Sequence, residues 1–559
     1  MKRIYYLSAL LAISLFYFFS YWPVYSFAYS LHTLISDTAI FGLMAEDILS
    51  GKNFPWYFYG QNYMGPFTSL FIALIQLVFN FFKLEQPIPF YGQFYVLSPL
   101  AVQSAGLLMV YFGNLFFTLG MRSFLGDLKS LILFLLLSAS STIICQAAIR
   151  PLGAEMAYFF AGVMVYFYYH FKKSDGEPLQ RFSFGVLLAL SLWGNQTVIF
   201  IWGAFFIYYF VHSSLYSFFS DGDFFKGRIN FSRYHLNISS KVVLTFLQLI
   251  AFFIMAMGLT VSFFFGQLKI GKLNIPNGFS YFKSGFFLFF LLHFFLEQKN
   301  NPQFKNKITE ELKKIKYFIF GYLSGHAPLF FAGLLAFYEK SYSVKFKFIK
   351  LADYPEYLYK FFTHFLNNLM IGQFDNWMWP FSLFILGLLF LILKIERQNS
   401  GGFKQSKLFI PQVAILLNLI YLLTSERSRE QYVVRYGILI LPFFYALLIY
   451  GLSLGKSFLK WGVSFVLLCL FYFANIQRHS ILQEIGNSKA AYLDQIRLFS
   501  EKSYSSCFAE HNDAYRLELL TGRNVLFVPI DSQDRTPSRS KKLAPLTKCV
   551  YANGALSEK

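Results

Sequence analysis

The chain has 559 residues, 56% hydrophobic and 21% aromatic but only 14% charged, where a soluble globular protein carries about 25% charge. That shortage of charge excludes a cytosolic enzyme, a disordered chain and a nucleic-acid-binding module. Lys and Arg number 49 against 29 Asp and Glu, a net charge of +20. The basic residues sit in short loops between apolar runs, so they read as topology signals and lipid-headgroup contacts.

The N-terminal stretch, MKRIYYLSALLAISLFYFFSYWPVY, has no small-residue cleavage site after its apolar core and reads as an uncleaved first transmembrane helix. A spanning helix needs about 20 mostly apolar residues. Candidate spans lie at 5–28, 94–118, 130–149, 154–171, 182–194, 197–216, 242–264, 281–296, 316–335, 379–395, 408–424, 436–454 and 459–475, the fifth being short. With the N-terminus cytoplasmic and thirteen spans, the basic groups fall on the inner side, among them Lys2, Arg3, Arg122, Lys129, Lys172, Lys173, Lys313, Lys314, Lys404, Lys407, Lys456 and Lys460. Counting the apolar run 66–82 as well would invert every later loop, so it reads as a juxtamembrane helix in the outer interface. The expected fold is therefore an all-α polytopic membrane protein with outer-face juxtamembrane helices, its membrane domain running from 1 to 476.

The first outer loop, 29–93, opens with an amphipathic helix. Phe41, Met44, Ala45, Ile48 and Leu49 follow the i, i+3, i+4, i+7, i+8 pattern, Glu46 and Asp47 fall off that stripe, and Gly51 stands where the helix would end. Asp37 begins it. An Asp there reads either as an N-cap or as a carboxylate just above the bilayer that removes a proton from an acceptor hydroxyl. Nearby, Tyr59, Gln61, Asn62 and Tyr63 suit a sugar site of aromatic faces and amides. An interfacial aromatic belt explains Trp56 and Phe58 well, but the two amides poorly.

Further along, Arg150 and Glu155 flank the outer end of the third span. On position alone they read as a mutual pair at a helix start. His326 stands near an outer helix end, where a structural polar role is the plainer reading. Lys340, Lys345, Lys347, Lys350 and Lys360 make the outer loop 336–378 basic, against the positive-inside trend, which suggests phosphate attraction. Arg427, Arg429 and Arg435 lie within nine positions and suit bidentate phosphate binding or headgroup contact. Residues 477–559 are expected to form a small outer α/β appendage: a helix at Ala490 to Phe499, a strand at Asn524 to Pro529 and another near Thr547 to Tyr551. Of the four cysteines, Cys145 and Cys469 are small hydrophobes in apolar runs, whereas Cys507 and Cys549, in an oxidising compartment, are able to bridge.

Several of these strings resemble a family. Asp37, then Leu49-Ser50-Gly51-Lys52, then Phe58-Tyr59-Gly60-Gln61-Asn62-Tyr63-Met64-Gly65-Pro66 are similar to the first outer loop of GT-C glycosyltransferases, in the bacterial branch of protein O-mannosyltransferases and the lipid A aminoarabinose transferase. Arg435-Tyr436 through Pro442 resembles the family's late Arg-Tyr…Pro helix start. Ala514-Tyr515-Arg516-Leu517 and Leu520-Thr521-Gly522-Arg523 resemble the outer C-terminal segment of the same branch. Where the family often has Asp-Glu, this chain has Asp37-Thr38. The resemblance implies a GT-C fold in a bacterial inner membrane, with the active site and C-terminus on the periplasmic face. It implies a polyprenyl-phosphate or diphosphate sugar donor and a glycan, lipid or protein acceptor, with Asp37 as general base of an inverting transfer; it also implies that the acid of the second outer loop, Glu155 with Arg150 beside it, binds the acceptor or a divalent metal, and no other cofactor. Positive charge would stabilise the departing phosphate. The rivals are a transporter or flippase, which would show repeated halves and mid-membrane charges, and a polysaccharide ligase, which would carry its long outer loop late in the chain.

The orientation is open to a direct test: single cysteines at Lys173 and Lys314 are expected to react with impermeant thiol reagents only from the cytoplasmic side. Labelling from outside would remove the scheme and with it the outer position of Asp37.

Overall fold

A computed structural model of the chain describes residues 2–22, 35–52, 54–55, 65–139, 142–171, 178–212, 246–257 apart from 248, 268–270, 273–275, 285, 288, 302–335, 349, 351–361, 379–402, 405–424, 437–487, 489–530, 547, 549–552 and 555–558. The helices begin with α1 (Lys2–Ser20), α2 (Ser36–Leu49), α3 (Phe67–Phe81), α4 (Pro99–Leu125), α5 (Asp127–Ala139), α6 (Thr142–Ile149), α7 (Ala154–Phe171), α8 (Pro178–Gly194) and α9 (Ile199–His212). A two-stranded antiparallel pair follows, β1 (Leu268–Ile270) and β2 (Leu273–Ile275). Then come α10 (Pro302–Leu335), α11 (Tyr354–Lys360), α12 (Trp379–Asn399), α13 (Phe409–Thr424), α14 (Leu441–Gly451) and α15 (Ser457–Asn487). The C-terminal elements are α16 (Lys489–Lys502), β3 (Ser506–Ala509), α17 (His511–Leu520), β4 (Leu526–Pro529), β5 (Cys549–Ala552) and β6 (Ala555–Glu558).

The bundle is built on α4. Ser98 caps it by accepting a hydrogen bond from the Leu100 amide, and Pro99 opens its first turn. Gly106, Gly113 and Gly120 recur every seven residues along it. A Cβ at Gly113 would lie 2.5 Å from the Tyr158 ring, and one at Gly120 2.8 Å from the Tyr166 amide nitrogen. This seam of small residues lets α7 lie directly against α4, as close packing between apolar helices requires.

The described helices do not supply thirteen spans. Two are long and apolar enough to cross a bilayer, Pro99–Leu125 and Ser457–Gln483, and a third if Asp127–Ala139 and Ile143–Ile149, bent by 63° at their break, act as one. The other apolar helices, such as Phe409–Leu423 and Gly437–Gly451, have 10–17 residues. At about 1.5 Å per residue they rise short of a hydrocarbon core ~30 Å thick. An apolar run overstates helix length because turns and loop residues packed on the bundle are apolar too: the run 436–454 yields Leu441–Gly451. Of the expected spans, 242–264 and 281–296 lie largely outside the described residues. The run 66–82 becomes α3, whose Leu74, Leu77, Val78 and Phe81 stay exposed.

The amphipathic reading of α2 holds for one face only. Phe41, Met44 and Ala45 are buried as expected, but so are Thr38, Ala39, Ile40, Leu43 and Glu46. The C-terminal unit covers the second face. In that unit β3 is parallel to both β4 and β5, and β6 closes the sheet antiparallel to β5. Phe499, Cys507, Leu517, Phe527 and Tyr551 form its own small core. Its helix α17 is apolar on two sides: Ala514 and Leu517 face that core, while Tyr515, Leu519 and Leu520 enter the core of the bundle.

Cys507 and Cys549 are register partners on β3 and β5 and are joined by a disulfide, with Cα atoms 4.6 Å apart. The bridge spans 42 positions, so the Cys549→Ser variant is expected to lose about 4 kcal/mol of stability in this unit. Unfolding midpoints with and without reductant check it. Wild-type protein alkylated without reduction should carry no label on either cysteine.

Candidate active site

Asp37 is the second residue of α2. Ile35, not Asp37, is the N-cap, and no side chain caps the helix, so the capping reading of Asp37 does not apply. In the first turn its carboxylate sits at the positive end of the helix dipole, worth about 0.3–1 kcal/mol. Its side chain is 37% exposed at the end of a helix that is otherwise largely buried.

Four segments meet below it. Thr38 Oγ1 donates to the Pro151 carbonyl at 3.0 Å, in the turn between α6 and α7. Asn195 Nδ2 donates to the Gly153 carbonyl of the same turn at 2.8 Å. The Gly65 amide donates to the Gly194 carbonyl at 3.4 Å, which ties the start of α3 to the end of α8. Glu155, fully buried, accepts from the Leu152 amide (2.9 Å), the Gly153 amide (3.0 Å) and Thr68 Oγ1 (3.1 Å).

Glu155 is thus a structural acceptor that closes the turn and ties α3 to α7. Both its oxygens are engaged, and no group of three His, Cys, Asp or Glu suited to a metal occurs among the described residues. It also forms no pair with Arg150, whose Nε is buried without a hydrogen-bond partner. The His326 ring lies tilted against that of Tyr322, one turn earlier in α10, with centroids 4.4 Å apart. Lys360 is exposed and pairs with Glu356 at 2.6 Å, four residues back. Tyr59, Gln61, Asn62, Tyr63, Arg427, Arg429 and Arg435 lie outside the described residues, as do Lys340, Lys345, Lys347 and Lys350.

Two residues to which the sequence reading gave no role stand at the site. His511, the first residue of α17, is buried and places Nε2 3.8 Å from Asp37 Oδ1. Arg523 reaches α2 from the other end of α17. Its Nη1 meets Asp47 Oδ1 at 2.6 Å, Nη2 donates to the Leu43 carbonyl at 2.9 Å, and Nε lies 3.3 Å from Glu46 Oε2 and 3.9 Å from Glu518 Oε1. Burial alone would lower the basicity of Arg523, but the Asp47 hydrogen bond and the charges of Glu46, Asp47 and Glu518 raise it above its ordinary value. Burial in turn pushes the Glu46 carboxyl up, against the opposing pull of Arg523.

The local chemistry of Leu520-Thr521-Gly522-Arg523 explains this reach. The Gly522 amide bonds to the Leu519 carbonyl at 3.0 Å and the Arg523 amide to the Glu518 carbonyl at 2.9 Å, the paired bonds of a Schellman helix end. Gly522 takes φ +56°, and a Cβ there would lie 2.4 Å from Ile88 Cδ1, so glycine alone fits and the chain swings Arg523 onto α2. Midway, a Cβ at Gly42 would lie 2.7 Å from Leu519 Cδ2. The two helices therefore run side by side in the same direction, with Asp37 and His511 together at their N-terminal ends. A Gly at a helix end followed by Arg, and two acids off an apolar stripe, are signals readable in sequence; their pairing across 476 positions is not.

No family model and no curated protein matches the sequence. Among solved structures, the chain is similar to the oligosaccharyltransferase of Archaeoglobus fulgidus. The form with zinc and sulfate has 11% identity over 92% of this chain and 63% of that one, with a TM-score of 0.42. The apo form has 10% identity over 98% and 69%, with a TM-score of 0.47. The archaeal enzyme AglB in complex with an inhibitory peptide and a dolichol-phosphate has 11% identity over 99% and 69%, with a TM-score of 0.42. The chain thus spans about two thirds of the length of these structures. All three scores lie below one half, and no activity is carried over from them.

Removing the guanidinium leaves buried carboxylates without their cation, which costs about 3–5 kcal/mol for a buried pair. Arg523→Ala is therefore expected to lower the thermal unfolding midpoint in detergent and to speed trypsin cleavage between the bundle and the C-terminal unit. Arg523→Lys should recover only part, because an ammonium does not reproduce the fork of contacts to Asp47 and Leu43. An Arg523→Ala protein as stable as wild type would refute the clamp.

Proposed function

We propose that the protein is an integral-membrane GT-C glycosyltransferase that moves a sugar from a polyprenyl-phosphate or diphosphate donor to an acceptor hydroxyl at the outer face of a bacterial inner membrane. The observation that carries this reading is the placement of Asp37: a solvent-reachable carboxylate at the end of a buried helix, where the α6–α7 turn, the start of α3 and the C-terminal unit converge. The motif strings of the first outer loop supply the reaction class by resemblance.

In this mechanism Asp37 takes the proton of the acceptor hydroxyl as its oxygen attacks the anomeric carbon from the side opposite the phosphate. The bond from the anomeric carbon to the phosphate oxygen breaks, the lipid phosphate departs with the electron pair, and the sugar configuration inverts. A phosphate leaves as a stable anion, so the site needs cations and not a strong acid. Arg150, whose Nε lacks a hydrogen-bond partner at the neighbouring turn, suits that part, with Arg427, Arg429 and Arg435 as further donor-phosphate contacts. Tyr59, Gln61, Asn62 and Tyr63 would bind the sugar or the acceptor. The outer orientation and the division at residue 476 belong to the same reading.

Because Asp37 is not a cap, Asp37→Asn removes little besides the charge. Losing a general base costs typically 10²–10⁴-fold in rate, so the variant is expected to accumulate to wild-type levels while its cells lack one glycosylated envelope species seen with wild type. Mass spectrometry of extracted glycans and lipids identifies that species. A complete, wild-type profile from Asp37→Asn cells would end the proposal.

A further inference from the structure

The C-terminal unit carries more than a cover for the bundle, and the geometry points to His511 as a positioning residue for Asp37, so that the active site is completed only when this unit docks. The inference rests on the reading of Asp37 as general base.

Nε2 of His511 faces Asp37 Oδ1 at 3.8 Å. That exceeds hydrogen-bond length, yet catalytic contacts are often long before substrate binds. The imidazole is held on its other sides. Its ring packs edge-on to Tyr515, itself buried, with centroids 5.5 Å apart. It also opens a helix whose amides of Asp513 and Ala514 both bond to the Glu510 carbonyl, so its backbone is fixed. The far end of the same helix is locked to α2 by Arg523 on Glu46 and Asp47. Two attachments, one at each end of a parallel pair, set the rotation and the slide of α17 on α2, and neither leaves the His511–Asp37 separation free to vary.

An imidazole so placed is set to orient the carboxylate when the contact tightens around substrate. The partners that orient metal-bound ligands play a comparable part, and their loss typically costs 10–100-fold; an effect of that order is expected here. A residue present only for packing would have no reason to face Asp37 with a nitrogen.

The test uses the full-length protein in cells that lack the native copy. The quantity read is the rate at which the glycosylated envelope species missing from Asp37→Asn cells forms after induction, together with protein abundance and the state of the Cys507–Cys549 bridge. His511→Ala is expected to slow that rate by roughly tenfold or more with abundance and bridge unchanged. His511→Gln, whose amide reaches the place of Nε2, should retain much more activity than His511→Asn, whose amide reaches only the place of Nδ1. That contrast also decides the matter if the Ala variant fails to accumulate. Equal rates in the Gln and Asn variants, or a wild-type rate in His511→Ala while Asp37→Asn forms none, would overturn the role of His511 and leave Asp37 standing. A wild-type rate in Asp37→Asn would instead remove the reading on which it rests.

Discussion

The docked state depends on one guanidinium. Arg523 stands against Glu46 and Asp47 of α2 and Glu518 of its own helix, in surroundings that make an unpaired carboxylate costly. Its contacts are directional: a fork on Asp47 and a carbonyl, not a diffuse attraction. Without it, the acidic face of α2 would need water, α17 would have no reason to choose that face, and Tyr515, Leu519 and Leu520 would lose their place in the bundle core. Tyr95 reinforces the contact by donating its hydroxyl to the Leu520 carbonyl, and Ser500 Oγ donates to the Phe90 carbonyl at 2.9 Å. The segment between α3 and α4 is thereby drawn against the same unit.

Much of this was legible in the sequence, residue by residue. The apolar stripe of Phe41, Met44 and Ala45 marked a buried face, and Gly51 marked the end of α2, where the amides of Gly51 and Lys52 bond to the Ile48 and Asp47 carbonyls. The helix near Ala490, the strand ending at Pro529 and the strand at Cys549 stand close to where alternation and helical spacing put them. What failed has a common cause. Periodicity reports that a face is apolar, not what covers it. It cannot tell that Glu46 is buried by a partner hundreds of residues later, that Ile35 and not Asp37 occupies the cap, or that an apolar run such as 130–149 breaks at a bend. Strands β3 (SCFA) and β6 (ALSE) show no apolar–polar alternation to mark them.

The site shows the same division. Asp37, Arg150 and Glu155 are chemically conspicuous in a chain with few charges, and the structure gathers them around one turn. Composition could not separate their parts. Glu155 is consumed by two amides and a hydroxyl, whereas Arg150 is left with its Nε unsatisfied; only hydrogen-bond geometry distinguishes an acid that holds a turn from one that meets solvent. His511 carried no signal at all, because its meaning comes from its neighbour in space.

The 476 positions between Asp47 and Arg523 also impose an order in time. Synthesis proceeds at about 5–20 residues per second, so α2 exists for tens of seconds before the segment that neutralises its acids is made. During that interval the helix has its apolar side available to the bundle but its charged side uncovered. The β3–β5 bridge must also wait for Cys549. A chain halted anywhere before Arg523 would therefore hold Glu46 and Asp47 without their cation, and the C-terminal unit is the late-made cover that closes this face of α2.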